Sequence, residues 1–286
     1  VGLAYNSIIS SVVGWFPDKS GVASGVLLMG FGLGGIVLGS VFKVMIESAG
    51  LFTVFRMLAV SITAVVIIGA LVLKRPDAKK CNKDNVDIVC FTPSEMLRTS
   101  EFWFFMLWAV ALNSAGLLVI NSAASIAAAF GASEVLGLIV SVFNGAGRVI
   151  IGTIFDKADR KATMILNSVL FIIAGTLLLM GAKTGAIVLI VMGLVFTGTG
   201  YGGNPTLVSA VIQKLYGQKN YPVNFSIANF GLIPAAVIGP MISSSLIERA
   251  GGKYDSTFMM MIFLAGIAVI AWLLMNAVFN KNIKMR

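Results

Sequence analysis

Nine apolar runs follow one another along this chain, most of them about 20 residues long and separated by short polar turns. Nothing else constrains the fold as tightly. In hydrocarbon such a run satisfies its own backbone hydrogen bonds only as a helix, and that length matches the thickness of a bilayer core. The runs cover approximately residues 1–14, 21–46, 54–73, 102–122, 135–155, 162–181, 185–212, 223–247 and 256–279. The first is too short to span alone. Because the chain opens inside it at Val1, with no initiator Met, it is expected to be the end of a helix whose beginning is missing. A transmembrane β-barrel would alternate apolar and polar residues over segments of about ten. With 58% hydrophobic and 12% charged residues and a mean hydropathy of +0.95, these 286 residues do not suit a soluble domain. The expected fold class is an all-α membrane protein, a helical bundle in two halves with the first half truncated.

Lys74 to Ser100 is the only long polar segment. It reads as a linker between a partial N-terminal bundle, residues 1–73, and a C-terminal six-helix bundle with a short tail, residues 101–286. Assigning the turns alternately to two sides places fifteen of the 21 Lys and Arg on one side and five on the other, with Arg148 inside a span. That bias predicts the linker and the C-terminus in the cytoplasm of a multi-pass protein of the cell membrane. The net charge of +9 is then a matter of topology, and no nucleic-acid partner is expected. The absence of histidine removes the commonest metal ligand and general base, so no cofactor, metal or enzymatic activity is expected. Cys81 and Cys90 lie in the linker and read as reduced cytoplasmic thiols.

Chemistry concentrates in Asn144 to Lys161, NGAGRVIIGTIFDKADRK. Arg148 lies eight residues before Asp156, hence roughly 12 Å below that membrane face. A guanidinium keeps its charge at that depth, so it should face a water-filled cavity or an anionic partner. Gly137, Ser141, Asn144, Gly145 and Gly152 share its helical face. All twelve Asp and Glu fall in turns or at helix ends, so one fixed cation stands in otherwise uncharged spans. That suits one carboxylate of a small organic anion, held bidentately. Bracing of the helix end by Arg148 is the structural alternative. Asn113, Asn121, Tyr5, Tyr201 and Asn204 are further candidates for the cavity wall, with interhelical hydrogen bonding as the competing role for the asparagines. The charged turn Asp156, Lys157, Arg160 and Lys161 reads as a gating clasp. Gly25, Gly30, Gly32, Gly34, Gly35 and Gly39 make a smooth strip for helix packing, and Gly239 with Pro240 offers a bend.

The segment FPDKSGVASG at Phe16 to Gly25, followed by FGLGGIVLG, recurs as YGQKNYPVNF at Tyr216 to Phe225, followed by FGLIPAAVIG. Both copies follow spans running in the same direction, so the repeat is parallel. Together with NGAGRVIIGTIFDKADRK these stretches resemble the major facilitator superfamily, and within it the oxalate/formate antiporter and monocarboxylate transporter branch, as helices four to twelve. The resemblance implies a secondary transporter of small organic anions, an antiporter or symporter working by alternating access, with a counter-anion or cation as further partner and a monomer as the functional unit when complete. It matches Arg148 to the branch's substrate-pairing arginine of helix eight, and Tyr5 and Tyr201 to aromatic residues walling the site. This chain departs from it twice. Gly231 or Leu232 stands where oxalate carriers have a lysine, and Asn144 where proton-coupled carriers have an aspartate. A sensor built on the same fold, and a carrier of another small solute, are the alternatives.

Overall fold

The computed structural model describes residues 2–72, 91–133 and 139–284, with side chains for all of these except 2–4, 17, 31–40, 43 and 279–284. Cys81, Cys90, Glu134 and Gly137 lie outside the described residues, as do Gly32, Gly34, Gly35 and Gly39 at the side-chain level. The described residues form helices joined by short turns, with no strand among them. In chain order the helices are α1 Gly2–Trp15, α2 Ser20–Ala49, α3 Leu51–Val72, α4 Pro93–Leu97, α5 Ser100–Ile120, α6 Ala123–Ala129, α7 Ile139–Lys157, α8 Arg160–Thr184, α9 Ile187–Tyr216, α10 Tyr221–Asn229, α11 Leu232–Arg249 and α12 Asp255–Lys284. Among them α3, α5, α7, α8, α9, α10 with α11, and α12 are each long and apolar enough to cross a membrane.

Two expectations need amending. The span expected over 223–247 is interrupted at Phe230 and Gly231, whereas the helix runs on through Pro240. The physical cause is Pro234, which has no N–H to give to the Phe230 carbonyl. Ile233 donates to that carbonyl instead, at 3.1 Å, and Phe230 and Gly231 donate back to Ile227 and Ala228. Between α5 and α7, where only a turn was expected, Ala123–Ala129 forms a short helix. The end of the linker is also built: Thr92 and Glu95 form a reciprocal cap on α4, and the Phe91 carbonyl accepts from Asn220 at 3.0 Å and Asn224 at 3.1 Å.

Glycines set how close the helices come. With few strong polar attractions available in lipid, close approach of small residues is what drives helices together. A Cβ at Gly147, Gly198 or Gly202 would strike the facing backbone between α7 and α9. A Cβ at Gly21, Gly25 or Gly152 would strike backbone shared between α7 and α2. So α7, which carries Arg148, is packed closely against both α9 and α2. By contrast a Cβ at Gly30 meets nothing within 4 Å, which separates it from the packing role expected of the whole strip. Elsewhere α5 packs on α11 through Gly239, which faces Leu117 and Ser114, and through Ser243, which donates to the Leu118 carbonyl at 2.9 Å. Trp108 of α5 donates to Ser168 of α8 at 2.9 Å, and Trp272 of α12 donates to the Lys161 carbonyl at 3.0 Å. Only Val54 of α3 is buried.

Candidate functional site

Arg148 retains 4% of its exposure. Its Nε and Nη2 both donate to Asn144 Oδ1, one turn earlier on α7, each at 3.4 Å. Both distances exceed the 2.7–2.9 Å of a strong charge-assisted bond, so the amide orients the guanidinium edge without saturating it. The phenols of Tyr5 on α1 and Tyr201 on α9 lie within electrostatic range of the same guanidinium. Tyr5 stacks on Phe225 of α10 with ring centroids 6.3 Å apart. The Tyr201 ring lies where Gly116 of α5 leaves space, since a Cβ there would collide with it. Three helices thus bring Arg148, Asn144, Tyr5 and Tyr201 together from positions up to nearly 200 residues apart.

Asn113 and Asn204 belong to a second, adjoining cluster. Asn204 is fully buried and donates through Nδ2 to the Ala109 carbonyl at 3.3 Å. Asn113 is 2% exposed and lines a cavity of about 10 Å³ with Ala109, Pro205, Val208, Ala228, Asn229, Gly231 and Leu232. That volume is about one water, too small for an organic anion. Asn121 caps the C-terminal end of α5.

The charged turn divides. Asp156 Oδ1 accepts from the Gly21 N–H at 2.8 Å and Oδ2 from the Val22 N–H at 2.7 Å. These are first-turn donors of α2, a helix with no side-chain cap of its own. A carboxylate meeting free amides and the positive end of the helix dipole makes a charge-assisted tie across 134 residues of sequence. Lys157 is exposed. Arg160 is buried to 4%, against Met275 Sδ at 3.9 Å and in range of Asp159, Tyr216 and Glu101, all within 101–286. Lys161 participates through its backbone, donating to Asp159 Oδ1 at 2.9 Å and accepting from Trp272.

Sequence reasoning missed the polar ties between α1 and the segment around α10. Asn6 donates to Ser226 Oγ at 3.1 Å and accepts from Asn229 at 2.9 Å. Gln218 donates to the Gly14 carbonyl at 2.8 Å and Gln213 to the Val13 carbonyl at 3.4 Å. The repeat was the available signal, because it sets the turn after α1 beside the turn before α10.

A bundle of membrane-length helices with Arg148 buried beside an amide and two phenols defines a polytopic membrane protein with a polar interior. The chain matches the Major Facilitator Superfamily over residues 1–232 and again over 103–284, and it belongs to that family. It is similar to the "Oxalate:formate antiporter" of Oxalobacter formigenes, 28% identical over 230 residues, which cover 77% of this chain and 55% of that protein. It is also similar to the "Uncharacterized MFS-type transporter YhjX" of Escherichia coli, 22% identical over 80% of this chain and 58% of that protein. A third relative, the "Uncharacterized 38 kDa protein in 23S RNA operon" of Thermoproteus tenax, is 24% identical over 94% of this chain and 67% of its own length. The chain spans little more than half the length of the first two.

Proposed function

We propose that this protein is a secondary transporter that carries a small organic anion, monocarboxylate-like, across the cell membrane by alternating access of residues 1–73 and 101–286 about the linker 74–100. The observation that carries the reading is the guanidinium of Arg148, buried to 4% inside a membrane-length helix, with its Nε and Nη2 edge turned to Asn144 at 3.4 Å and two phenols in range. A carboxylate offers two oxygens to the Nε and Nη2 edge at shorter distance and with full charge, so it displaces the Asn144 oxygen at little expense. Tyr5 and Tyr201 then wall the anion and supply hydroxyls. The similarity to an oxalate:formate antiporter supports the anion class.

Access follows from the ties at the Asp156 end. With Asp156 on the first turn of α2, and Gln218 and Gln213 on carbonyls in the last turn of α1, that end of the interior is closed. By the charge bias of the turns it is the cytoplasmic end. Opening requires those bonds to break together, and the substrate shifts the balance only by the difference in its affinity for the two states.

The experiment is exchange of labelled formate, lactate, pyruvate, oxalate and neutral amino acids in proteoliposomes, for the protein and its Arg148→Gln variant. Exchange of a monocarboxylate that the variant loses is the expected result. Exchange that survives the substitution, or movement of neutral solutes alone, overturns the reading.

A further inference from the structure

One chain of side-chain hydrogen bonds joins α1 to α10 at the depth of Arg148. Ser226 gives its single hydroxyl hydrogen to the Pro222 carbonyl at 2.8 Å, so its oxygen can only accept. Asn6 therefore turns Nδ2 to that oxygen, at 3.1 Å, and its Oδ1 receives the Nδ2 of Asn229 at 2.9 Å. Asn6 lies nine residues before Trp15, the last of α1, and Arg148 nine before Lys157, the last of α7. Each is thus about 14 Å from its helix end. Those ends meet on one side of the bundle, since Asp156 holds the first turn of α2 just after α1. Tyr5, next to Asn6 in the chain, is in range of the guanidinium. The fold does not demand this bridge: aligning FGLGG from Phe31 with FGLIP from Phe230 puts Leu27 and Gly30 where the second copy of the repeat has Ser226 and Asn229. Asn229 also has a second acceptor at hand. It lines the cavity of about 10 Å³ together with Asn113, whose Oδ1 is buried and accepts no hydrogen bond. Such an oxygen is costly to leave without a donor, and across a gap of about one water it lies within reach of a side-chain rotation of Asn229.

We propose that Asn229 is a switch that reads a hydroxyl on the transported anion. With the carboxylate on Arg148, the substrate hydroxyl donates to Asn6 Oδ1, and the displaced Nδ2 of Asn229 turns to Asn113 Oδ1. Hydrogen bonds are conserved at Asn6, and Asn113 gains the donor it lacks. In the same step the two halves lose the Asn229 bond between them, so binding biases the bundle toward opening. A carboxylate without a hydroxyl leaves the bridge made, and an oxo group brings no hydrogen to Asn6 Oδ1. The carrier therefore selects small hydroxy acids over their unsubstituted and oxo counterparts, as a site built to hydrogen-bond one group rejects the analogue that lacks it. This selection rests on the anion reading of Arg148.

The test is exchange of lactate, pyruvate and propionate in proteoliposomes, acids of one skeleton that carry a hydroxyl, an oxo group or only hydrogen beside the carboxylate. The wild-type protein should show a KM for lactate about tenfold below those for propionate and pyruvate. Asn6→Leu should bring the three within about twofold by raising the lactate value alone, and propionate exchange that persists shows that the variant folds. Asn113→Leu removes the waiting acceptor and should shrink the lactate preference to about threefold, which decides the matter should Asn6→Leu fail to fold. Asn229→Ala frees Asn6 Oδ1 and should keep or enlarge the preference, a pattern that a purely structural bridge does not produce. Wild-type protein that exchanges the acids alike, or none of them, overturns the proposal. So does a preference undiminished in Asn6→Leu or Asn113→Leu, or abolished in Asn229→Ala. Arg148→Gln keeps the two readings apart: equal exchange of the three acids by the wild-type protein, lost in that variant, removes the hydroxyl switch and leaves the anion site.

Discussion

At the scale of single residues, the interior depends on how Arg148 is held. Replacing it with Gln removes the charge from a site where a carboxylate would be desolvated, so the Kd for the transported anion should rise about 30-fold or more, corresponding to at least about 2 kcal/mol. Arg148→Lys should recover little of this, because a single ammonium cannot reproduce the two-donor edge now directed at Asn144. Asn144→Asp tests the same edge from the other side. An internal carboxylate one turn away would occupy the guanidinium in place of substrate, and anion affinity at neutral pH should fall on the order of tenfold. Titration calorimetry of the three variants against the transported anion checks these outcomes. An affinity unchanged in Asn144→Asp would mean that substrate approaches a different face of Arg148. Arg148 itself was legible in the sequence, since an arginine inside an apolar run announces a polar interior. The division of its companions was not: Asn113 and Asn204 read the same as Asn144 until the helices are packed, and packing sends Asn113 to the neighbouring cavity and Asn204 to the Ala109 carbonyl.

At the scale of elements, α7 owes its place to glycines that pack against its backbone, at Arg148 itself in the case of Gly25. Gly25→Ala and Gly152→Ala each push a methyl into main-chain atoms of the partner helix, which cannot yield as a flexible side chain would, and each should cost about 1–3 kcal/mol. Gly30→Ala, in open space on the same helix α2, should be neutral or slightly stabilising through helix propensity. Thermal midpoints in detergent separate the two cases, and a Gly30→Ala variant as damaged as Gly25→Ala would show that another surface covers that position. The sequence carried the helices well, because apolar length is a local property. It did not carry the selection among glycines of one strip, which depends on where α7 crosses α2. Nor did it place the break in the span holding α10 and α11. Two prolines stood in that run, and Pro234 interrupts the helix whereas Pro240 is accommodated within it. The sequence pattern is alike at both, and the outcome depends on which carbonyl finds another donor.

At the scale of the whole molecule, the ties at the Asp156 end make sense as one two-state closure. Asp156 holds the start of α2 by two charge-assisted bonds, while Gln218 and Gln213 hold the end of α1, so the two helices flanking the turn at 16–19 are gripped by different parts of the opposing bundle. None of these contacts has a local signature, since each joins residues well over a hundred positions apart. Asp156→Ala should weaken closure by about 1–2 kcal/mol, as the loss of a helix cap and its charge does. Gln218→Ala should weaken it by about 1 kcal/mol, the worth of one hydrogen bond. Spin labels at the exposed positions Lys19 and Lys157 report the separation across this end. If closure is a single equilibrium, Gln218→Ala must widen the distribution between those labels although it contacts neither, and the double variant must multiply the two shifts in the open-to-closed ratio. If each tie only pins its own helix end, the labels will respond to Asp156→Ala and ignore Gln218→Ala. The second result would leave the contacts in place but remove the gate, because alternating access requires the end to open as a unit.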